Sequence, residues 1–234
     1  MRKFLLVFVL ILLTAVSSNA ENIRIASGAG YKNVVMELVE NFEYKDNVES
    51  IFANIKQIST QAKNSDIALV VGDEKFLNGE NLGAVSIRNL GVGKLVLIYP
   101  KDRNLTKLKD LEMDEFKRIS IPDIENAIYG IAAKEVIHSA NLKIYDKLLM
   151  VSTVPQASSY IVTSEVDAGF VNLTAALNLE DKIGGYLVVD EDFYSPIKIS
   201  VYEMSYCQNS KVCQAFLEFI QTDKARKIIQ KHGL

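Results

Sequence analysis

The chain has 234 residues, of which 49% are apolar and 24% charged, with 12 Gly and 4 Pro. That is enough apolar material for a substantial core and too little glycine and proline for a fibrous or low-complexity chain. The formal net charge of −3 disfavours nucleic acid or an anionic membrane surface as partner.

The first 20 residues have the pattern of a signal peptide: Arg2 and Lys3, an apolar run from Phe4 to Val16, and the small-residue site Ser18-Asn19-Ala20. The apolar run is about 13 residues, short of the ~20 that a spanning helix needs. A cleaved leader (1–20) and an exported, periplasmic product are therefore expected rather than a membrane anchor. No Cys follows the cleavage site to carry a lipid. Cleavage would remove two of the 26 basic residues and leave 24 against 29 acidic ones, about five net negative charges. An anionic ligand would then have to be held by local dipoles against the global field.

Ile23 to Ser27 is a short apolar strand that runs into Gly28-Ala29-Gly30. An amphipathic helix follows from Tyr31, with Val34, Val35, Leu38, Val39 and Phe42 on one face. A strand that turns through glycines into a helix exposes backbone N–H groups at the positive end of the helix dipole, which suits an anion. Val48–Ala53 is a second strand, 54–63 a helix, and 66–71 a nearly continuous apolar run of the kind found in buried parallel strands. This βαβ alternation predicts a doubly wound sheet.

Strands are expected at 83–87 and 94–99, and the polar stretch 100–104 predicts the first crossing between lobes. A second round follows: a short helix at 105–111, a strand at 118–121, a helix at 127–140, a strand at 148–151, a helix at 154–163, a strand at 167–171 and a helix at 173–179. Ile197 to Tyr202 is a strand that returns to the first half, and 209–232 is one long final helix. The expected units are 21–100 with 202–234 as lobe 1, and 101–201 as lobe 2.

Residues 28–33 approach a dinucleotide fingerprint, with Glu49 about where a ribose-binding acid falls, but Asn33 replaces the third glycine that close helix–strand packing needs. The chain has two histidines, His138 and His232, and neither a Gly-x-Ser-x-Gly elbow nor a His-Glu-x-x-His motif. An enzyme is not expected, and neither is a cofactor or a bound metal. Cys207 and Cys213 lie six positions apart without a neighbouring His or third Cys, so in an exported chain a disulfide is favoured over a metal site. Ser152 to Ala157 opens the helix of the second half; it reads either as a second set of donors facing the cleft or as an ordinary N-cap.

Several stretches together carry a resemblance: Ala215-Phe216-Leu217-Glu218-Phe219-Ile220 through Thr222-Asp223-Lys224-Ala225 to Lys231-His232-Gly233-Leu234; Leu95-Val96-Leu97-Ile98-Tyr99-Pro100-Lys101; Ile119-Ser120-Ile121-Pro122-Asp123 with Gly130-Ile131-Ala132-Ala133-Lys134-Glu135; and Ala168-Gly169-Phe170-Val171. Taken in their order along the chain they resemble the periplasmic molybdate-binding proteins of ABC importers. The resemblance implies an α/β, two-lobed periplasmic binding protein fold of type II, each lobe a mixed sheet flanked by helices, with the ligand in the inter-lobe cleft. It implies a monomer that captures molybdate or tungstate as an oxyanion and passes it to an ABC permease. Another small anion (phosphate, sulfate or a carboxylate), or a role as exported sensor, is the alternative.

The family holds its oxyanion with two serines, a tyrosine hydroxyl and backbone N–H groups. These positions fall on Gly30 and Asn54 for the serines, Tyr129 and Val154 for the backbone donors, and Asn172 for the tyrosine. Ser27, Tyr31 and Lys32 are the side chains of the opening turn that could compensate for the serine replaced by Gly30. Asn54 and Asn172 can donate through their amides.

Overall fold

The computed structural model describes residues 21–234, so the signal-peptide expectation for 1–20 lies outside the described residues. The chain forms β1 (Ile23–Gly28), α1 (Lys32–Glu40), β2 (Val48–Ala53), α2 (Ile55–Asn64), β3 (Leu69–Asp73), α3 (Glu74–Gly79), β4 (Ser86–Gly93) and β5 (Leu95–Tyr99). It continues with β6 (Ile119–Pro122), α4 (Ile128–Ser139), β7 (Leu148–Val151), α5 (Val154–Val162), β8 (Ala168–Asn172), α6 (Leu173–Asn178), β9 (Gly185–Val188), β10 (Ile197–Glu203), α7 (Lys211–Phe219) and α8 (Asp223–Lys231).

Two five-stranded sheets are built on one plan. Their orders are β2-β1-β3-β10-β4 and β7-β6-β8-β5-β9. In each, three strands are parallel and two are antiparallel to their neighbours. The central parallel strands β3 and β8 are buried along their whole length, with Leu69 and Val70 in β3 and Phe170 and Val171 in β8 fully buried, whereas the edge strands β2 and β7 are partly exposed.

The crossings between sheets fall earlier than the polar stretch at 100–104 predicts. β5 belongs to the second sheet, paired with β8 and β9, so the chain crosses at Gly93-Lys94; β10 belongs to the first sheet along its whole length from Ile197. Polar turn residues mark the end of a strand, but partner choice decides which sheet the strand joins. β4 is also longer than the expected 83–87, because pairing with β10 carries it through Gly91-Val92-Gly93. The expected helix at 105–111 is a 3-10 turn over Leu108–Glu112.

The expected single helix at 209–232 is two helices. α7 ends at Phe219, and α8 starts afresh with Thr222 as N-cap, its side chain accepting from the Ala225 N–H at 3.2 Å. Cys207 and Cys213 are disulfide-bonded and tie the turn after β10 to the first turn of α7. Glu49, on the edge strand β2, is ion-paired with Arg24 at 2.7 Å.

Register places the future site. In the first sheet β1 and β2 run side by side and end together at Gly28 and Ala53; in the second, β6 and β7 end together at Pro122 and Val151. Each pair therefore delivers two helix starts to the carboxyl edge of its sheet, and the two edges face each other. The crevice beyond the carboxyl ends of the strands is where open α/β sheets bind ligands.

Candidate functional site

Between the lobes lies a cavity of ≈ 40 Å³ lined by residues 28–31, 54–55, 127–129 and 152–154. Its volume is far below the several hundred cubic ångströms typical of organic ligand sites, so it suits a small ion. Four helices start at its wall: α1 (9 residues, entered through a 3-10 turn over Ala29–Tyr31), α2 (10), α4 (12) and α5 (9). Two come from each lobe.

First-turn N–H groups of a helix have no intrahelical acceptor. At α2 the Asn54 Oδ1 accepts from the Gln57 N–H at 2.9 Å, which leaves the N–H groups of Ile55 and Lys56. At α5 the Thr153 Oγ1 accepts from the Gln156 N–H at 3.3 Å, and Pro155 has no N–H. Val154 is thus the first-turn donor of α5 left to face the cavity. No side chain caps α4 or the turn at Ala29–Tyr31, so the Ile128, Tyr129, Ala29 and Gly30 N–H groups add to the ring. Each helix start carries roughly half a positive charge, and four together approach what a dianion needs. No charged side chain lines the cavity.

Two phenols close it. Tyr31 and Tyr129 are 1% and 2% exposed, and the Tyr31 hydroxyl donates to the Tyr129 oxygen at 2.8 Å, lobe to lobe. Burial pushes both well above the ordinary tyrosine value, so both stay neutral O–H groups. Tyr129 reaches this position because residue 93 is glycine; a Cβ there would lie 2.1 Å from its hydroxyl oxygen.

Of the residues expected at the site, Gly30, Tyr31, Asn54, Tyr129 and Val154 line the cavity together. Three do not. Ser27 is fully buried at the end of β1 with its hydroxyl donating to the Gly28 carbonyl at 3.2 Å, because strand alternation turns it inward. Lys32 is exposed, lines an adjoining groove of ≈ 490 Å³ between the start of α1 and the helices α5 and α6, which shares Ala29, Gly30 and Val154 with the cavity, and holds its ammonium 5.9 Å from the Phe52 ring centroid. Asn172 lies behind the wall: as N-cap of α6 its Oδ1 accepts from Ala175 N–H at 3.0 Å, and its Nδ2 donates to the Gly30 carbonyl at 2.9 Å. It positions Gly30 instead of facing the cavity.

The lining donors Ile55 and Ile128 and the space-giving Gly93 escaped the sequence reading. Asn54 as an N-cap signal implies the first; nothing local signals the other two.

Two lobes, each closing a mixed sheet with helix starts over one shared cavity, define an extracellular solute-binding protein. The chain belongs to the family of bacterial extracellular solute-binding proteins, whose model it matches over residues 23–234. The molybdate-binding protein ModA of Azotobacter vinelandii is 25% identical over 238 residues, covering 94% of this chain and 92% of the relative. Among solved structures, the periplasmic molybdate-binding protein of Azotobacter vinelandii superposes with a TM-score of 0.78 at 19% identity, covering 91% of this chain and 98% of that one. The tungstate ABC transporter structure from Geobacter sulfurreducens gives 0.68 at 13% identity over 90% of this chain and 98% of that one. At these identities the structural likeness is one of fold. Among the described residues no helix is long and apolar enough to cross a membrane.

Proposed function

We propose that the chain captures a small tetrahedral oxyanion, molybdate or tungstate, outside the cytoplasmic membrane, and delivers it as a monomer to the permease of an ABC importer. The observation that carries this reading is the convergence of four helix N-termini, two from each lobe, on one ion-sized cavity without a charged side chain. Neutral donors suit a fully ionised anion, whose oxygens only accept. The family, and the molybdate and tungstate named for the relatives above, support the choice of ligand.

In this reading the lobes, joined by the two strand crossings, close over the anion by hinge motion, and the protein binds without catalysing. Gly30, Asn54, Tyr129 and Val154 hold the ligand, with Asn172 holding the Gly30 turn in place. Calorimetric titration of the chain without its leader against molybdate, tungstate, sulfate and phosphate is the test. Tight binding of the first two is expected; heat with sulfate or phosphate alone would replace the ligand, and heat with none of the four would remove the reading.

A further inference from the structure

Tyr31 belongs to the first lobe and Tyr129 to the second, yet their hydroxyl oxygens are 2.8 Å apart and both rings are buried in the cleft. Two hydroxyls carry two hydrogens, and the bond between them uses one. The Asn172 side chain also hydrogen-bonds the Tyr129 hydroxyl, in the sense that favours the phenol oxygen as acceptor. Among the hydrogen bonds of the described residues none supplies an acceptor for the second hydrogen, which sits on Tyr129. Both tyrosines line the ≈ 40 Å³ cavity, so this unspent hydrogen belongs to a neutral donor at the ring of helix starts. Neither hydroxyl corresponds to the position at which the resemblance places a tyrosine, which is occupied here by Asn172.

We propose that the Tyr31–Tyr129 pair is a two-lobed clamp for the anion: on binding, Tyr129 gives its unspent hydrogen to the ligand and Tyr31 turns its own from Tyr129 to the ligand. The proposal rests on the reading of the cavity as an oxyanion site. The phenol–phenol bond and the bound anion are then alternatives. One neutral hydrogen bond is exchanged for two charge-assisted ones, the stronger class, and the anion replaces the direct tie between lobes with a tie through itself. The clamp also explains Gly93, which lies beside the Tyr129 hydroxyl and leaves room for it.

The experiment is titration of the wild-type chain, Tyr31→Phe and Tyr129→Phe with molybdate and tungstate, alongside the tyrosine ultraviolet difference spectrum of the wild type on anion addition. The chain has no tryptophan, so that spectrum reports tyrosine alone. The expected result is a weakening of about 10- to 100-fold for each variant and a tyrosine difference signal that saturates with the binding isotherm. Variants that bind as tightly as the wild type, or more tightly, would overturn the clamp and leave the pair a latch between lobes. So would wild-type binding without a tyrosine signal, a readout that stands even where a variant fails to fold. A wild type that binds none of molybdate, tungstate, sulfate and phosphate removes the underlying reading, and the clamp with it.

Discussion

Asn172 and Gly30 are joined across the cleft, the Asn172 amide donating to the Gly30 carbonyl at 2.9 Å while its own carbonyl caps α6. One side chain thus serves a helix in one lobe and a turn in the other. Asn172→Ala loses the cap and leaves a buried carbonyl without its donor, for an expected cost of about 2–4 kcal/mol. Asn172→Ser keeps a neutral cap acceptor for the Ala175 N–H but has no amide to reach Gly30. Denaturant unfolding of the two variants separates the roles: the serine should recover the cap's share alone.

Asn54 offers a cleaner separation of stability from binding. Its Oδ1 caps α2 through the Gln57 N–H, and aspartate caps about as well as asparagine. Asn54→Asp should therefore unfold at nearly the wild-type midpoint. It places a carboxylate on the wall of a cavity otherwise free of charge, and oxyanion affinity should fall by at least about tenfold. Unchanged affinity would place the anion elsewhere.

Gly93 makes room for a hydroxyl rather than for a backbone turn. In Gly93→Ala the new Cβ would meet the Tyr129 hydroxyl at 2.1 Å and the Ile197 Cγ2 at 3.1 Å. Neither neighbour is free to leave, and overpacking of this kind costs about 1–3 kcal/mol. The variant should melt lower than the wild type, and combination with Tyr129→Phe should recover part of the loss.

Glu80 accepts from Lys56 at 2.8 Å and Lys63 at 2.9 Å, both on α2. These two ammonium groups pull its carboxyl from 4.5 down to about 2. A carboxyl whose value is lowered by folding stabilises the chain above its unfolded value and loses that contribution as pH falls through the folded one. Glu80→Gln should therefore melt below the wild type at neutral pH, with the gap closing as pH falls from about 4.5 towards about 2. Thermal melts of both proteins across that window check the sign.

The disulfide between Cys207 and Cys213 closes a loop of sequence separation 6, for which the loop-entropy relation gives about 2 kcal/mol. Reduction should lower the unfolding free energy by about that amount. It should leave anion affinity in the folded protein unchanged, since neither cysteine lines the cavity. Calorimetry with and without reductant tests both statements.

What was readable in the residues follows from how local each signal is. The buried strand β3 announces itself as an unbroken apolar run, and the glycine turn before α1 exposes donors whatever surrounds it. β9 does not, being four residues long and half-exposed. The break between α7 and α8 was masked because Phe216, Phe219, Ile228 and Ile229 keep a helical phase across it, although Thr222-Asp223 is an N-cap signal. The orientation of Ser27 follows from β1 continuing to Gly28, one residue further than its apolar pattern suggests. Tyr31 and Tyr129 stand 98 positions apart, and no local pattern could have paired their hydroxyls; only the closure of two sheets on each other does that.

The strand crossings also set an order of assembly. Every strand of the second sheet, from β5 to β9, lies in the continuous stretch 95–188, so that lobe holds all its pairing partners before the chain returns. In the first sheet β4 pairs with β10 alone, and β10 lies more than a hundred residues later. As the chain emerges from its N-terminus, β4 therefore presents an unpaired edge until residue 203 is out, while the second sheet can already close. The half of the molecule that begins first is the half that finishes last.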